Sequence, residues 1–348
     1  MRIAVIGAGA VGGLVAALAA RAGYDVLVTA RGEHAEAIAR AGLQVDGGWG
    51  NWVAGVRLVE SIPNPLDSRT DITTFSLTPI DLIVLATKAH DSESALMPWR
   101  AYDGTPVLVL QNGLGGEAAV RRCLPHSPIA IGLALFAVSL TGPARITVTS
   151  PNGLTLGGEA AAVTAAEMLL RAALPADGSA ELVLTGNIRG AQWTKLLINQ
   201  VNALPAITGL SVQQTVADTA LRALLARGMV ETVAVGDTLG VRWGRIGAVD
   251  ADAVAAVRSG GVTAAAALAQ HIAAGMGHVP NPASMLQSIR RGRMTEVEAI
   301  NGAVVEQGTR LGVLTPVNAT LVELVHRVER SGTFLSGDEV AASIPQPA

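Results

Sequence analysis

Of the 25 basic side chains in this 348-residue chain only two, Lys88 and Lys195, are lysines. Lys195 lies in "QWTKLLINQVNALPAITG" (192–209), in the middle of an apolar helical pattern. A chain that otherwise meets its cationic needs with arginine keeps an ammonium there. An ammonium can give up its proton, and a partly apolar pocket lowers its pKa towards neutrality, whereas a guanidinium holds its proton throughout the physiological range. Gln192, Lys195, Asn199 and Asn202 fall at i, i+3, i+7 and i+10, one face of a helix whose other positions include Trp193, Leu196, Leu197, Ile198, Val201 and Leu204. A wet helix face is the plain alternative, but this stripe is amide and amine rather than the Glu/Arg mixture of a solvated face. Lys195 is therefore read as a proton donor, on a helix that Pro205 ends or kinks.

A second group of residues suits a phosphate. In "RIAVIGAGAVGGLVAALAARAGYDVLVTAR" a buried-strand pattern, Ile3 to Ile6, runs into Gly7-Ala8-Gly9-Ala10-Val11-Gly12, then a helical pattern from Leu14 to Arg21 and a second strand, Val26 to Thr29. The first glycine permits a tight turn, the second lets a pyrophosphate approach the backbone, and the third lets helix and strand pack closely. Between a strand and a helix, with a second strand at the right distance, Gly-x-Gly-x-x-Gly indicates dinucleotide binding. Where an acid would accept from the ribose 2′-hydroxyl of NAD, the second strand delivers Arg31, which suits a 2′-phosphate and favours NADPH. The alternative is a surface arginine that starts a helix. Two further strands, in 80–91 and 105–117, deliver Lys88 and Asn112 at their C-terminal ends, towards the cofactor crevice of an open α/β sheet. A solvated lysine and an Asn-Gly turn are the alternatives there.

These residues need elements to hold them. "ARITVTS" and "GLTLGG", joined by Pro151-Asn152-Gly153, read as a β-hairpin; a helix near 161–173 and a strand at 180–185 complete an α/β domain. From Asn187 onward the pattern is helical. A helix carrying Ser284 ends near Gly292. Thr295 and Glu298 form a capping box that places Glu296 in the first turn of another helix, where an acid is also favoured by the helix dipole alone. Thr315 and Pro316 start a further helix, and the tail from Ser331 reads as frayed.

Composition narrows the class. The longest apolar run, 129–140, is too short to span a bilayer, and the N-terminus reads as a strand rather than a signal peptide. A net charge of −3 gives no footprint for nucleic acid or an anionic membrane. The single cysteine, Cys123, allows no internal disulfide and suits a reducing cytoplasm. The six histidines show no metal-ligand spacing. A soluble cytoplasmic protein is expected, with no metal.

With these pieces in order the chain resembles the ketopantoate reductase (2-dehydropantoate 2-reductase) family, through "IAVIGAGAVGG", "VLVTAR", "LATKA", "LQNGLGGE", "WTKLLIN", "ASMLQSIRRGRMTEVEAINGAVV" and "LGVLTPVN". The resemblance implies a Rossmann-type doubly wound sheet domain (1–186) followed by an all-helical domain (187–345). It implies reduction of a small 2-keto acid by NADPH, on the way to pantothenate and coenzyme A. Lys195 resembles the family's general acid and Glu296 the carboxylate that binds the substrate hydroxyl. Asn112, Asn199 and Ser284 resemble substrate-site groups, and Arg31 the 2′-phosphate ligand. The chain departs from the family pattern at "NQVNALPAITG", where Asn202 takes the place of the second substrate asparagine one residue early, and in two long stretches, 49–79 and 246–281. The departures keep open a reductase of another 2-keto acid; a non-catalytic NADP(H) sensor has no need of Lys195 with Glu296. A homodimer is compatible with all of these readings.

Overall fold

A computed structural model describes residues 1–59, 79–277 and 279–344, so residues 60–78 of the long 49–79 stretch, His278 and residues 345–348 lie outside the described residues. By its internal contacts the chain divides into two units: Met1–Gln111 with Gly115–Ile188, and Asn112–Leu114 with Arg189–Ala348.

The strands of the first unit are β1 (Arg2–Ile6), β2 (Asp25–Thr29), β3 (Leu43–Gly47), β4 (Trp52–Ala54), β5 (Arg57–Leu58), β6 (Leu82–Leu85), β7 (Val107–Val109), β8 (Ile129–Ala134), β9 (Ala137–Gly142), β10 (Arg145–Ser150), β11 (Leu154–Gly158) and β12 (Leu182–Leu184). Eight of them form one sheet in the order β12-β11-β8-β7-β6-β1-β2-β5. All neighbours in it are parallel except β8 and β11. The central strands β6 and β7 are apolar and buried at every position, as strands covered on both faces must be. The chain leaves β1 through the helix Ala10–Arg21, whose Gly12 to Ala19 are all buried; small side chains let it lie close to the sheet.

A second sheet, β4-β3-β10-β9, corrects the expected hairpin. Residues 145–150 and 154–158 do not pair with each other: β10 pairs with β9 and β3, and β11 with β8 and β12. The reason lies in their burial. β10 alternates and suits a half-covered sheet, whereas Leu154 to Gly157 are buried without a break and need the interior of the large one. Pro151, which lacks an N–H, marks the crossing between the sheets. The apolar run 129–140 likewise divides into β8 and β9, with Phe136 buried between them against Trp49 at 5.3 Å.

The second unit is helical, apart from an isolated bridge between Ile246 and Val249. Its helices are Ile188–Asn199, Ala203–Thr208, Val212–Ala217, Thr219–Thr238, Ala251–Gly275, Ser284–Arg290, Ala303–Leu311, Pro316–Ser331 and Gly337–Ser343. They bury one apolar cluster that includes Trp193, Leu197, Leu225, Met229, Ile300 and Leu321. The long stretch 246–281 is largely the helix Ala251–Gly275, broken at Gly261, where φ is 56°. The tail is not frayed at Ser331. Ser336 and Glu339 form a reciprocal capping box that starts Gly337–Ser343, and Val340 is fully buried. No helix among the described residues is long and apolar enough to cross a membrane.

Candidate active site

In the first unit the strand order reverses at β1, which has β2 on one side and β6 on the other. Ligands of open α/β sheets bind beyond the strand ends at such a point. Gly7 follows β1 there with φ of 95°, and a Cβ on it would lie 2.8 Å from Thr87 Cγ2. A Cβ on Gly12 would collide with the Gly7 carbonyl oxygen and come within 2.8 Å of Ala86 Cβ, so the helix stands as near the strand as glycine permits. Gly9 is different: it caps the helix, and a Cβ on it would meet nothing within 4 Å. The turn thus has two packed glycines and one that leaves the backbone around Ala8, Gly9, Ala10 and Val11 approachable. That arrangement fits the pyrophosphate of a dinucleotide at a helix N-terminus.

Two residues that no sequence pattern singled out brace this turn. Gln111, buried beyond β7, donates through Nε2 to Thr87 O (2.8 Å), Thr87 Oγ1 (3.1 Å) and Ser92 Oγ (2.8 Å). His34 accepts the Ala144 N–H at Nδ1 (3.0 Å), so its proton sits on Nε2 and is donated to Ala8 O at 2.6 Å. The partners of His34 lie 26 and 110 residues away in sequence, beyond the reach of any local motif. Arg31 precedes the helix Gly32–Ala41; its side chain is 89% exposed, with Nη2 3.2 Å from Asp91 Oδ2. Lys88 stands at the start of the short 3-10 turn Ala89–Asp91, three residues past β6.

In the second unit Lys195 sits on Ile188–Asn199, whose Trp193, Thr194, Leu196, Leu197 and Asn199 are buried. Lys195 itself keeps a partial opening to solvent, and burial lowers its ammonium from 10.5 to about 8. The helix tightens at Gln200–Asn202 into a 3-10 turn before Ala203–Thr208 resumes. Pro205 is the physical cause: with no N–H it leaves the carbonyl four residues earlier, on Val201, without an α-helical partner. In a 3-10 turn residues three apart eclipse, and Asn202 Nδ2 donates to Asn199 O at 2.9 Å. Asn202 Oδ1 then accepts from Ser284 N (3.3 Å) and Ser284 Oγ (3.4 Å). Asn202 thus makes three protein contacts, whereas Asn199 Nδ2 is buried with no hydrogen-bond partner among the described residues.

Glu296 is buried, with Oε2 3.4 Å from Nδ2 of Asn112. Asn112 belongs to this unit because Leu114 N donates to Ala299 O at 2.9 Å and Gly113 lies against the Ala299 backbone, where a Cβ would collide. The expected capping box at Thr295 is absent. Thr295 Oγ1 accepts from Val297 N (3.2 Å), and the Thr295 N–H goes to Glu329 (2.7 Å) rather than to Glu298. Glu298 is drawn away by His326, 2.7 Å from it, and the following turn, Glu298–Gly302, is a π-helix. Such turns recur at functional sites.

Behind this site runs a buried amide network that sequence reading missed. Asn301 Nδ2 donates to Gln200 Oε1 (2.7 Å) and Asn318 Oδ1 (3.0 Å), so the π-turn and the 3-10 turn are joined. Glu231 accepts from the backbone N–H groups of Val317 (2.8 Å) and Asn318 (2.9 Å), the capping role expected of Thr315. Burial pushes the Glu231 carboxyl above its ordinary range despite those donors. Among the described residues no cluster suits a metal ion.

Comparison with known proteins agrees with this architecture. Residues 3–160 match the family model "Ketopantoate reductase PanE/ApbA", and residues 187–329 match "Ketopantoate reductase PanE/ApbA C terminal". The chain is 30% identical over 330 residues to 2-dehydropantoate 2-reductase of Archaeoglobus fulgidus, covering 94% of this chain and 98% of that one. Against the same enzyme of Halobacterium salinarum it is 29% identical over 95% of this chain and 100% of the relative. Among solved structures, a PanE/ApbA family ketopantoate reductase of Ralstonia eutropha matches with a TM-score of 0.77 and 27% identity, over 95% of this chain and 99% of that one. D-mandelate dehydrogenase with NADH and anilino(oxo)acetate matches with the same TM-score at 25% identity and the same coverage. The chain belongs to the ketopantoate reductase family and is an oxidoreductase.

Proposed function

We propose that the chain reduces 2-dehydropantoate to pantoate with NADPH, the step that feeds pantothenate and coenzyme A synthesis. The observation that carries this reading is Lys195: one of two lysines, desolvated until its ammonium titrates at about 8, one helical turn from an asparagine with an unspent buried donor. The bound nucleotide supplies the hydride. Near neutral pH Lys195 is charged and gives its proton to the ketone oxygen as that oxygen gains electrons; a pKa close to the working pH makes the transfer efficient. Asn199 donates through Nδ2 to a substrate oxygen, and Asn202 positions Ser284, which also binds substrate. Glu296, oriented by the Asn112 amide, accepts from the substrate hydroxyl. On the nucleotide side the turn Gly7–Gly12 receives the pyrophosphate and Lys88 and Asn112 line the cofactor. Arg31 exchanges Asp91 for the 2′-phosphate, a stronger partner for an exposed guanidinium.

The test is NADPH oxidation with 2-dehydropantoate beside a panel of 2-keto acids, including the keto acid of mandelate. A panel member lacking the hydroxyl should be worse in kcat/KM by about 10²-fold or more, because the hydrogen bond that Glu296 accepts from that hydroxyl is lost. A better kcat/KM for another 2-keto acid overturns the substrate. That second reading, a reductase of a different 2-keto acid, draws on the likeness to D-mandelate dehydrogenase and on the altered asparagine spacing.

A further inference from the structure

His326 lies on the helix Pro316–Ser331 and points both ring nitrogens at carboxylates: Nδ1 is 2.7 Å from Glu329 Oε2, and Nε2 is 2.7 Å from Glu298 Oε1. A carboxylate only accepts, so both contacts are hydrogen bonds only when the ring carries a proton on each nitrogen. The other oxygen of Glu329 accepts the Thr295 N–H at 2.7 Å. Glu298 opens the π-turn, in which the N–H groups of Ala299 and Ile300 both converge on the carbonyl of Glu296, at 3.0 and 3.2 Å. One imidazolium therefore holds the residue before Glu296, through Glu329, and the turn after it, through Glu298. We propose that His326, doubly protonated, is a positioning residue for Glu296, bracing from both sides the turn that presents this carboxylate. The proposal rests on the reading of Glu296 as the group that binds the substrate hydroxyl.

The two arms differ in strength. The Glu329 side chain is 10% exposed and that of His326 25%, so their contact is shielded, whereas Glu298 is 68% exposed and its contact is screened. Among the described residues the charged groups facing the ring are these two carboxylates, Glu298 from the π-turn and Glu329 from the same helix. Burial alone lowers the pKa of His326, but the two carboxylates outweigh it and hold the imidazole above 6.5. Burial alone raises Glu329, and its donors Thr295 and His326 outweigh that and hold it below 4.5. The brace is complete below the raised pKa of His326 and is released as pH rises through it.

The test compares His326→Gln, which cannot be protonated, with His326→Arg, which offers donors to both carboxylates at every working pH. Small misplacements of a substrate-binding group are costly, so His326→Gln should lower kcat/KM for the keto acid by about tenfold while leaving the Kd for NADPH unchanged. His326→Arg should restore most of that loss and remove the lower-pH part of the alkaline decline, leaving only the limb of Lys195. A merely structural histidine would lower Tm without moving this kinetic pattern. Wild-type kcat/KM in His326→Gln, with Glu296→Gln inactive, overturns the brace. Full activity in Glu296→Gln overturns the underlying reading of Glu296 instead. Should His326→Gln fail to fold by circular dichroism, the exposed Glu298→Gln carries the test, with a loss of about threefold expected. Unchanged turnover in that folded variant overturns the proposal.

Discussion

Replacing Lys195 with methionine keeps a side chain of similar length and removes the ammonium, which lets folding stability and chemistry be read apart. Burial takes this ammonium from 10.5 to about 8. At ~1.36 kcal/mol per pKa unit that drop corresponds to about 3 kcal/mol, and the partial opening of the side chain to solvent trims it to about 2–3 kcal/mol. The folded pKa lies below the unfolded one, so the charged lysine costs stability in full below about pH 8, and the cost fades as pH rises towards 10.5. Lys195→Met should therefore be more stable than the wild type by about 2–3 kcal/mol at pH 7, and by only about 1 kcal/mol at pH 9.5. Equilibrium urea unfolding followed by far-UV circular dichroism measures both differences, provided the slopes agree between the two proteins. Turnover should be lost in the same variant. Equal midpoints at pH 7, or a gap that does not narrow with pH, would refute the desolvation argument and return Lys195 to an ordinary solvated lysine.

Turnover offers a companion measurement: Lys195→Ala should lower kcat by roughly 10²–10⁴-fold, and Lys195→Arg nearly as much, because a guanidinium keeps its proton. In the intact enzyme kcat/KM should decline as pH rises through about 8, where Lys195 loses its proton; a flat profile to pH 10 would contradict the assignment. NADPH should be preferred over NADH by about 10-fold or more, and Arg31→Ala should erase that preference while NADH binding persists; equal use of both by the wild type would sink the role of Arg31. Gly9→Ala should leave Tm near that of the wild type yet weaken nucleotide binding, since its Cβ would enter open space, as fluorescence titration would reveal. Gly12→Ala should instead cost about 1–3 kcal/mol of stability, from its collision with the Gly7 carbonyl and Ala86.

Much of the fold was legible because its signals are local. The strand, glycine turn, helix and second strand of residues 2–29 follow from apolar runs and glycine spacing, and the structure has them as Arg2–Ile6, Ala10–Arg21 and Asp25–Thr29. The pairing of β10 and β11 was not legible from the turn between them. A Pro-Asn-Gly sequence says that the chain changes direction, while the choice of partner strand depends on which faces must be buried, a property of the assembled sheets. The tail is the opposite case: its Ser336-x-x-Glu339 capping signal is local, set in a polar stretch that otherwise reads as frayed.

The candidate site was legible to the extent that it is made of unusual residues, and illegible where it is made of unusual backbone. A lysine among arginines draws the eye to 195, and regular helix geometry then places Asn202 on its face at i+7. The 3-10 turn at Gln200–Asn202 changes that phase, and Asn202 bonds Asn199 O and Ser284 while Asn199 Nδ2 has no partner among the described residues. The same happens at Thr295: its spacing to Glu298 satisfies the capping pattern, yet long-range partners 28 and 34 residues away, His326 for Glu298 and Glu329 for Thr295, take both groups first. A π-turn replaces the regular start that the pattern expects. Both irregular turns meet through Asn301 and Gln200, buried amides whose contact spans 101 residues. Local propensity yields at these two turns because each buried polar group must find a partner, and the partners come from distant segments. The sequence pattern thus fails at the two turns whose buried polar groups are satisfied from distant segments.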